Sequence, residues 1–574
     1  MGVQPTPLAI DKSSEQDSTT SIKNWEQLQP SFDDLLHRPI LTQMDLESWI
    51  LDKSKLDARL SEEFAWRYIQ VTRDSSDQEA LESFNYFVQE ISPKVAALEN
   101  KLNLRLVDNS FFKQLNTEQF GIYQRKVQNA VNLFSPKNVN LQKEIQLQSK
   151  EFGRILSQMT IGMDGQQLTL QKASTLLEEN DRAIRRKVYH KINDRITQDT
   201  EELEDLFDQL LVKRHEIALN AGFENYRDYA FSALERFDYT PEDCYAFHQS
   251  IASEILPILN TIYSERKASL NLDQLRPYDL NIDTKGREVL RPFKDTQDMI
   301  NQCIQGLNSV NPEFGQVIEK MRDMGHLDLE SRQGKRPGGY NMPLHVTGIP
   351  FIFMNAANSI NDLRTMMHES GHAVHAFLTK DLKIAATRQF PSEISELAAM
   401  TMELFTMEHW SQIFTNQEDL ERAQLFQMEM VIKVLPWIAT IDKFQHWLYT
   451  NPKHSRAERR QEWLSILQEF TPEVLDNSEL ENYLANLWLK QIHIFEVRFY
   501  YIEYGFAQLG AIALWKKYHE SPQKATESYV RALKLGYTKS VTDTYEAADI
   551  QFDFSKDYVA KLGAFMLSKI EKLV

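Results

Sequence analysis

The stretch NDLRTMMHESGHAVHAFLTK, residues Asn361–Lys380, decides the fold of this chain. Its apolar residues recur at intervals of three and four, which predicts an amphipathic helix. They are Leu363, Met366, Met367, Val374, Phe377 and Leu378. Because His368 and His372 are four residues apart, such a helix carries both imidazoles on one face, one turn apart.

Two imidazoles on one face of a helix can bind a single Zn²⁺ ion. Glu369 follows the first of these histidines and lies one step around the helix, so it can face the metal without ligating it. In that position it can act as a general base toward a water molecule. The pattern HExxH also occurs by chance in helices that bind no metal, so the surrounding sequence has to decide between the two interpretations.

A catalytic zinc site needs a third protein ligand. In the metzincin class this ligand is a histidine ten residues after the first, with a glycine three residues before it. Here these positions are Leu378 and His375, which excludes that class. The next helical segment, FPSEISELAAMTMELF (Phe390–Phe405), offers carboxylates instead. Glu396 and Glu403 are seven residues apart among apolar neighbours, and a buried carboxylate needs a partner.

We therefore predict that Glu396 is the third zinc ligand and that Glu403 orients a ligand imidazole. Two alternatives stay open, namely Glu403 as a solvated surface acid and Glu393 as the third ligand. Glu393 lies in the first turn, where the helix dipole favours an acid for other reasons. His375 is predicted to pack behind the ligands or to contact one of them, because three ligands on two turns of one helix cannot converge on a tetrahedral ion.

Length and composition narrow the possible classes of function. A chain of 574 residues is too long for one compact core, which predicts two or more packed units. A formal charge of −18 argues against nucleic acid as a partner, because phosphate backbones need clustered lysine and arginine. The N-terminus lacks a secretory pattern and no run of about 18 apolar residues occurs, so we expect no membrane partner and a cytoplasmic location. Cys244 and Cys303 are predicted to be free thiols.

Changes in composition predict how the chain is organised. Residues 1–24 are polar and indicate a disordered tail, whereas 25–204 show the periodicity of an N-terminal helical domain. Residues 205–574 form the domain with the predicted metal site. Within it, SRQGKRPGGYNMP (Ser331–Pro343) indicates a glycine-rich loop. VTGIPFIFMN (Val346–Asn355) predicts an edge strand, because its proline cannot donate to a ladder.

The motifs also carry a family resemblance. GKRPGGY, PFIFMN, TMMHESGHAVH and SELAAMTME, in this order, resemble the oligoendopeptidase F branch of the thimet oligopeptidase family of zinc metallopeptidases. HIFEVRFYYIEYGFAQLGAIALW (His493–Trp515) resembles the substrate-binding helix of that family, and AADIQFDFS (Ala547–Ser555) resembles its C-terminal motif. The resemblance covers roughly residues 205–565, and the N-terminal third is similar only in helical character.

This resemblance implies a mainly α fold, in which two helical lobes flank a deep substrate channel and a small β-sheet lies beside the zinc-binding helix. It implies one Zn²⁺ per chain and short peptides whose internal bonds are hydrolysed. The matching positions give His368, His372 and Glu396 as metal ligands and Glu369 as the general base. They also give His493, with one or more of Tyr500, Tyr501 and Tyr504, as the group facing the scissile carbonyl.

The strand at Phe351 is expected to pair with the substrate backbone, and Gly338 and Gly339 would let that backbone approach closely. Together with Tyr340 and Tyr500 these are the predicted substrate-binding residues, while Tyr501 and Tyr504 are the predicted catalytic tyrosines. The sequence departs from the family in two places. Ser370 replaces a bulky apolar residue, which changes the packing behind the site. The tyrosine stretch also lacks a glycine-rich loop, which leaves its register open by a residue.

Two other functions compete with an endopeptidase. A zinc carboxypeptidase or dipeptidase on a similar helical fold would need a group for the terminal carboxylate of its substrate, and Arg388 and Arg498 are the candidates. A non-catalytic helical protein could instead bind peptides or zinc without turnover, but such a protein has no need for Glu369. The sequence does not indicate the oligomeric state.

Overall fold

A computed structural model of the protein describes residues 22–573. The fold is mainly α-helical, as predicted, with two small sheets. The helices are α1 (Gln29–His37), α2 (Gln43–Arg73), α3 (Gln78–Tyr86), α4 (Ser92–Val107), α5 (Thr117–Leu133), α6 (Asn138–Ser157), α7 (Leu170–Ser174), α8 (Arg182–Gln198), α9 (Thr200–Asn220), α10 (Tyr226–Ala233), α11 (Pro241–Ser250), α12 (Leu256–Ser269), α13 (Thr296–Val310), α14 (Pro312–Asp323), α15 (Ile360–Thr379), α16 (Ser392–Met407), α17 (Gln417–Thr450), α18 (Arg456–Glu469), α19 (Glu481–Ala485), α20 (Ile492–Phe495), α21 (Tyr501–Glu520), α22 (Pro522–Leu533), α23 (Val541–Ala547) and α24 (Lys556–Ile570). Within residues 22–573, no helix is both long and apolar enough to cross a lipid bilayer.

The strands form a hairpin and a three-stranded sheet. They are β1 (Thr160–Met163), β2 (Gln166–Thr169), β3 (Leu327–Glu330), β4 (Tyr340–Met342) and β5 (Phe351–Ala356). The larger sheet has the order β3–β5–β4, with β3 parallel and β4 antiparallel to β5. The prediction of an edge strand at 346–355 is therefore wrong, because β5 is the central strand. Pro350 precedes the first residue of β5 and takes no place in the ladder, while β4, at the end of the glycine-rich stretch, is an edge strand.

Buried apolar side chains divide into two main cores. The smaller one is built by α1, α2, α4 and α5 and their connections, and it also receives Ile384 from the later part of the chain. The larger core takes side chains from Ile145 onward to Ile570, including Leu203 on α9. The division between the cores thus lies between Val127 and Ile145, earlier in the chain than the predicted domain boundary at 204/205.

Residues 1–21 of the predicted disordered tail, 1–24, lie outside the described part of the chain. Ile22, close to the end of that tail, is buried, and its backbone carbonyl accepts a hydrogen bond from Nη2 of Arg67 at 2.6 Å. The described part of the chain therefore begins in contact with α2.

The close packing of α15 on α16 depends on a glycine. Helix α15 starts at a capping box, in which Ser359 and Asp362 satisfy each other's backbone N–H groups. About three turns further, a Cβ atom placed on Gly371 would lie 2.6 Å from Cα of Ala399 and 2.7 Å from the carbonyl oxygen of Ala398. No side chain fits there, so the two helix backbones approach each other more closely than any other residue at position 371 would allow.

A second glycine brings α21 close to the opposite side of α16. A Cβ atom on Gly510 would lie 2.7 Å from Cδ1 of Leu397 and 2.8 Å from the ring of Tyr545. Helix α16 is thus enclosed between α15 and α21, and it is buried along nearly its whole length.

An aspartate in β3 joins the sheet to the long helix α2. Asp328 accepts hydrogen bonds from Arg73 at 3.0 Å, from Lys335 at 2.9 Å and from Arg332 at 2.8 Å. Burial alone would raise the pKa of Asp328, but its hydrogen bonds to Arg332 and Lys335 and their charges outweigh burial and lower the pKa to about 2. The ionised form is therefore the one that the fold stabilises.

We expect Gly371→Ala to lower the free energy of unfolding by about 1–3 kcal/mol, because the new methyl group must push α15 away from α16. Denaturant titration measures this change. Gly153→Ala, in α6, is the matched control, since the nearest atom to its Cβ would be 3.9 Å away. It should be neutral or stabilising, because alanine favours a helix more than glycine does. Equal stability of the two variants would contradict the packing argument.

The depressed pKa of Asp328 predicts a specific dependence of stability on pH. The ionised carboxylate of Asp328 contributes about 2 kcal/mol to the free energy of unfolding. This contribution is complete above the unfolded-state pKa of 3.8 and is lost as the pH falls through the folded-state pKa of about 2. We expect Asp328→Asn to be less stable than the wild type at neutral pH, with a difference that shrinks as the pH falls below about 4. Unfolding curves at several pH values test this, and a difference that grows on acidification would refute it.

Candidate metal centre

The three predicted metal ligands lie together. His368 and His372 project from one face of α15, with ring centroids 4.9 Å apart. Glu396, on α16, places its two carboxylate oxygens 3.4 Å from Nε2 of His368 and 4.0 Å from Nε2 of His372. Ligand atoms at about 2.1 Å from a tetrahedral ion are about 3.4 Å apart, so the separations suit Zn²⁺.

The hydrogen bonds around these side chains test whether a cation fits. Nδ1 of His368 lies 2.7 Å from Oε1 of Glu403, and Nδ1 of His372 lies 3.1 Å from Oγ of Ser395. With the proton of His368 on Nδ1, its Nε2 lone pair faces Glu396. Oε2 of Glu396 is buried and has no hydrogen-bond partner among the described residues. Lone pairs that face one another without a proton repel, and a divalent cation between them removes the repulsion. The residues present therefore fit such an ion.

Glu403 lies behind His368 and is held from three directions. Besides the histidine, it accepts hydrogen bonds from Gln427 at 2.8 Å and from Arg364 at 3.2 Å. It is only 4% exposed, so it is not a surface acid. Burial would raise the pKa of Glu403, but Arg364 and His368 lower it to about 2. It is thus an ionised acceptor that fixes the orientation of the imidazole of His368.

Glu369 faces the same space as the ligands. Its pKa is raised to about 7, chiefly by burial, and the charges of Glu396 and Glu403 add to this while His368 opposes it. A carboxyl group with a pKa near neutrality can both take up and release a proton. The backbone carbonyl of Glu369 accepts a hydrogen bond from Nδ2 of Asn341 at 3.2 Å, which ties the edge strand β4 to α15.

The histidine and tyrosines of the 493–504 segment form one aromatic group. The ring centroid of His493 lies 4.5 Å from that of Tyr501, 5.9 Å from that of Tyr504 and 6.3 Å from that of Tyr500. The hydroxyl of Tyr500 donates to Oε1 of Glu396 at 2.7 Å, which joins the aromatic group to the metal ligands. The structure therefore brings Tyr500 to the ligand carboxylate.

The other two phenols differ in their surroundings. The polar side chains of Gln491 and Trp437 lower the pKa of Tyr501, but burial outweighs them and raises it to about 12. Tyr504 has no hydrogen-bond partner within the part of the chain that the structure describes. Burial raises the pKa of Tyr504, and so does the charge of Glu396, so that its phenol stays protonated and can donate.

Two residues considered as ligands lie elsewhere. His375 is fully buried and stacks on Phe390 with a centroid distance of 3.6 Å, so it is a packed histidine. Glu393 is also buried, and it accepts a hydrogen bond from the hydroxyl of Tyr239 at 2.5 Å. Its partners are thus on the side of α16 away from the imidazoles.

The predicted substrate-binding residues are only partly accessible. Gly338 has a φ of +103°, and a Cβ on Gly339 would lie 3.3 Å from the carbonyl oxygen of Phe353, so both positions need glycine. Tyr340, in β4, stacks on Phe353 with a centroid distance of 4.9 Å. Phe351 is 1% exposed on the central strand β5. Because β5 is paired with β3 on one side and with β4 on the other, its backbone cannot pair with a peptide as predicted, so Phe351 is removed from the substrate-binding set.

One of the two cysteines, Cys303, packs behind α15. Ser370 is fully buried, and its Oγ lies 3.3 Å from Sγ of Cys303 and donates to the carbonyl of Met366 at 2.7 Å. The small side chain thus packs on the face of α15 opposite the ligands. Cys244 and Cys303 are both free and buried.

A second group of metal-binding side chains lies apart from this site. Cys244, Asp442 and His446 place one donor atom each within 4.8 Å of the others. Asp442 already has Nε2 of His248 at 2.9 Å and Nε2 of His446 at 3.2 Å. None of these side chains is more than 2% exposed. A catalytic ion needs an open position for water or substrate, which this buried group does not offer.

Sequence reasoning missed several residues that hold the site. Arg364 is four residues before His368 and therefore on the same helix face, a spacing that could have identified it. Ser395 and Gln427 carry no comparable signal, because their roles depend on how α16 and α17 pack. The contact between Tyr500 and Glu396 also joins segments too far apart in the sequence for any local pattern to show.

Comparisons with known proteins agree with this geometry. A family model described as Peptidase family M3 matches residues 175–564, and one described as Peptidase M3 N-terminal domain matches residues 16–134. Oligopeptidase PepF of Bacillus subtilis is 22% identical over 344 residues, which are 58% of this chain and 50% of that protein. An oligoendopeptidase F homolog of Borreliella burgdorferi is 23% identical over 384 residues, which are 66% of this chain and 63% of that protein.

A solved structure of PZ peptidase A with an inhibitor is similar over 96% of this chain and 97% of that chain, with a TM-score of 0.88 and 25% identity. The sequence matches span 50% and 63% of the length of the two curated relatives. The resemblance to oligoendopeptidase F is confirmed, and since the first family model covers residues 175–564, the chain belongs to peptidase family M3.

Proposed function

We propose that this protein is a zinc-dependent oligoendopeptidase, which hydrolyses internal bonds of short peptides. The observation that carries the proposal is the convergence of His368, His372 and Glu396 around one point, with a buried Glu369 on which the charges of His368 and Glu396 act. Membership of a peptidase family supports it. The unpartnered oxygen of Glu396 supports a single zinc ion, held by these three side chains.

Zinc bound by these ligands would supply Lewis acidity, which lowers the pKa of a water molecule and polarises a carbonyl group. The protein's part begins with Glu369, whose carboxylate takes a proton from the attacking water and later gives it to the leaving amine. Its pKa of about 7 matches both roles near neutral pH. Glu403 keeps the imidazole of His368 in one tautomer and one orientation throughout.

Tyr504 is the tyrosine we propose as the donor to the developing oxyanion. The phenol of Tyr500 already donates to Glu396, and the phenol of Tyr501 has the polar side chains of Gln491 and Trp437 beside it. His493 lies beside Tyr504, and burial lowers the pKa of His493 to about 4, so it acts as a neutral side chain. A preorganised donor of this kind typically contributes about 10²–10³ in turnover.

The substrate backbone is proposed to run along β4 rather than β5. Strand β4 has β5 on one side and is an edge of the sheet, and Asn341 on it touches the backbone of Glu369. Backbone pairing at an edge strand is independent of side chains, which suits a broad range of short peptides. Gly338 precedes this strand and has nothing within 4 Å of the place where a Cβ atom would be, which leaves room for the approach, whereas the corresponding space at Gly339 is taken by the carbonyl oxygen of Phe353.

The competing exopeptidase reading has less support. Arg498 donates to the hydroxyl of Tyr226 at 2.9 Å and to the carbonyl of Glu496 at 2.9 Å, while Arg388 donates to the carbonyl of His345 at 2.7 Å. Arg498 is thus engaged by the protein itself, whereas Arg388 makes this one hydrogen bond and its buried Nε has no partner among the described residues. The two unpaired thiols support the cytoplasm as the proposed place of action.

We expect the zinc-loaded protein to cleave an end-blocked, internally quenched peptide of about ten residues, with loss of activity in a chelator and recovery on zinc addition. Glu369→Gln should retain zinc and lose several orders of magnitude in kcat, because it removes the base without removing a ligand. Glu408→Gln is the control, since Glu408 bonds Trp515 and lies at the far end of α16. Cleavage of free-ended peptides alone would favour an exopeptidase, and near-normal turnover by Glu369→Gln would exclude Glu369 as the base.

Metal affinity provides a test that does not depend on turnover. We expect Glu396→Ala to bind zinc far more weakly, because it removes a ligand, and Glu403→Gln to lose about 10–100-fold in affinity, because it replaces the charged acceptor behind His368 by a neutral one. Competition with a chromophoric chelator measures both. Wild-type affinity in Glu396→Ala would show that the ligand set is wrong.

A further inference from the structure

The chain just before α21 adopts an unusual backbone conformation. Phe499 has a φ of +62°, in the left-handed region, although it carries a large side chain and is fully buried. Residues other than glycine rarely adopt this conformation, and it persists only when the surroundings hold it. The next residue is Tyr500, whose hydroxyl reaches Glu396.

Two buried polar side chains hold both backbone groups of Phe499. Its N–H donates to Oε1 of Gln445, on α17, at 2.8 Å. Its carbonyl accepts a hydrogen bond from Nη2 of Arg236, which in turn pairs with Glu503 at 2.9 Å. Gln445 is fully buried, and the side chain of Arg236 is 0% exposed. The peptide groups on both sides of Phe499 are thus fixed by side chains from distant parts of the chain.

A third buried side chain fixes the part of the segment that carries His493. Arg214, on α9, donates to the carbonyl of Ile494 at 3.0 Å and also to that of Phe495. Its remaining partner is the hydroxyl of Tyr449, on α17, at 2.7 Å. The short segment between His493 and Tyr500 is therefore held at both ends by groups that do not come from it.

We propose that Gln445, together with Arg214 and Arg236, positions Tyr500 within the aromatic group of the proposed active site, so that its hydroxyl reaches Glu396. This inference rests on the proposed function and deepens it. None of the three residues touches the metal ligands, so they act through the backbone of 494–499. Tyr500 follows Phe499 directly in the chain. Rotation of the peptide groups around Phe499 would therefore turn the Tyr500 phenol away from Glu396.

The alternative is a purely structural role, in which these side chains only satisfy buried backbone groups and stabilise the fold. The two readings differ in how the effect of Gln445 depends on Tyr500. A residue that acts through Tyr500 loses its effect on the site once the Tyr500 hydroxyl is gone, whereas a residue that only stabilises the fold does not.

Gln445→Met tests the proposal, because it keeps the length of the side chain and removes the acceptor for Phe499. We expect kcat to fall on the order of 100-fold, with KM within about twofold. Thr440→Val, on the same helix, is the matched control, since the buried hydroxyl of Thr440 bonds only the carbonyl of Pro436 in its own helix. Gln445→Glu restores an acceptor and should recover most of the loss.

The decisive measurement is a double-mutant cycle between Gln445→Met and Tyr500→Phe, followed in both kcat and zinc affinity. We expect the double variant to have a kcat and a zinc affinity no lower than those of the more impaired single variant. Additive losses, or a Gln445→Met variant that equals Thr440→Val, would overturn the proposal. If the wild type cleaves no peptide, the proposed function fails, and the cycle in zinc affinity still decides whether Gln445 acts through Tyr500.

Discussion

The site depends on how closely α15 and α16 approach each other. Gly371 lies one residue before His372, and the backbone of α16 occupies the place where any larger side chain would be. Only at that spacing does the carboxylate of Glu396 come within 3.4 Å of Nε2 of His368. The glycine inside the HExxH pattern therefore has a steric role, which is separate from the chemistry of the histidines on either side. Helix α21 reaches the other side of α16 through a similar contact at Gly510.

Around this helix pair, the orientation of each functional side chain is fixed by a buried polar neighbour. Glu403 holds one imidazole, Ser395 touches the other, and Tyr500 donates to the carboxylate. These neighbours leave the Nε2 atoms and one oxygen of Glu396 free to meet a cation. Buried contacts that fix each functional side chain in this way are typical of a preorganised site.

The sequence was sufficient to predict what depends on local spacing. The amphipathic pattern of Asn361–Lys380 predicted a helix, and the intervals between His368, His372, Glu396 and Glu403 predicted the side chains that meet. It was not sufficient for the strand order. Pro350 argued for an edge strand, yet it lies just outside β5, and a boundary shift of one residue reverses the conclusion. The same boundary shift misplaced Phe351, since the backbone of a central strand is already paired on both sides and cannot take up a peptide.

The partners of the aromatic group could not be predicted for a different reason. Gln445 and Arg236 act on the backbone of Phe499, and backbone groups carry no sequence signal. Glu403 could be predicted as a partner of a histidine, but Gln427 could not, because its contact depends on the packing of α17.

The order of these parts along the chain has a consequence for folding. The metal ligands lie on two helices that follow each other, so the loop that must close to bring them together is short and its entropic cost is small. Tyr500 and Glu396, by contrast, are 104 residues apart, and Phe499 is held by residues up to 263 positions away. Local contacts form faster than distant ones. The two ligand-bearing helices thus have a lower contact order than the aromatic group. During synthesis the three ligands can meet before Tyr500, which follows α17, has been made.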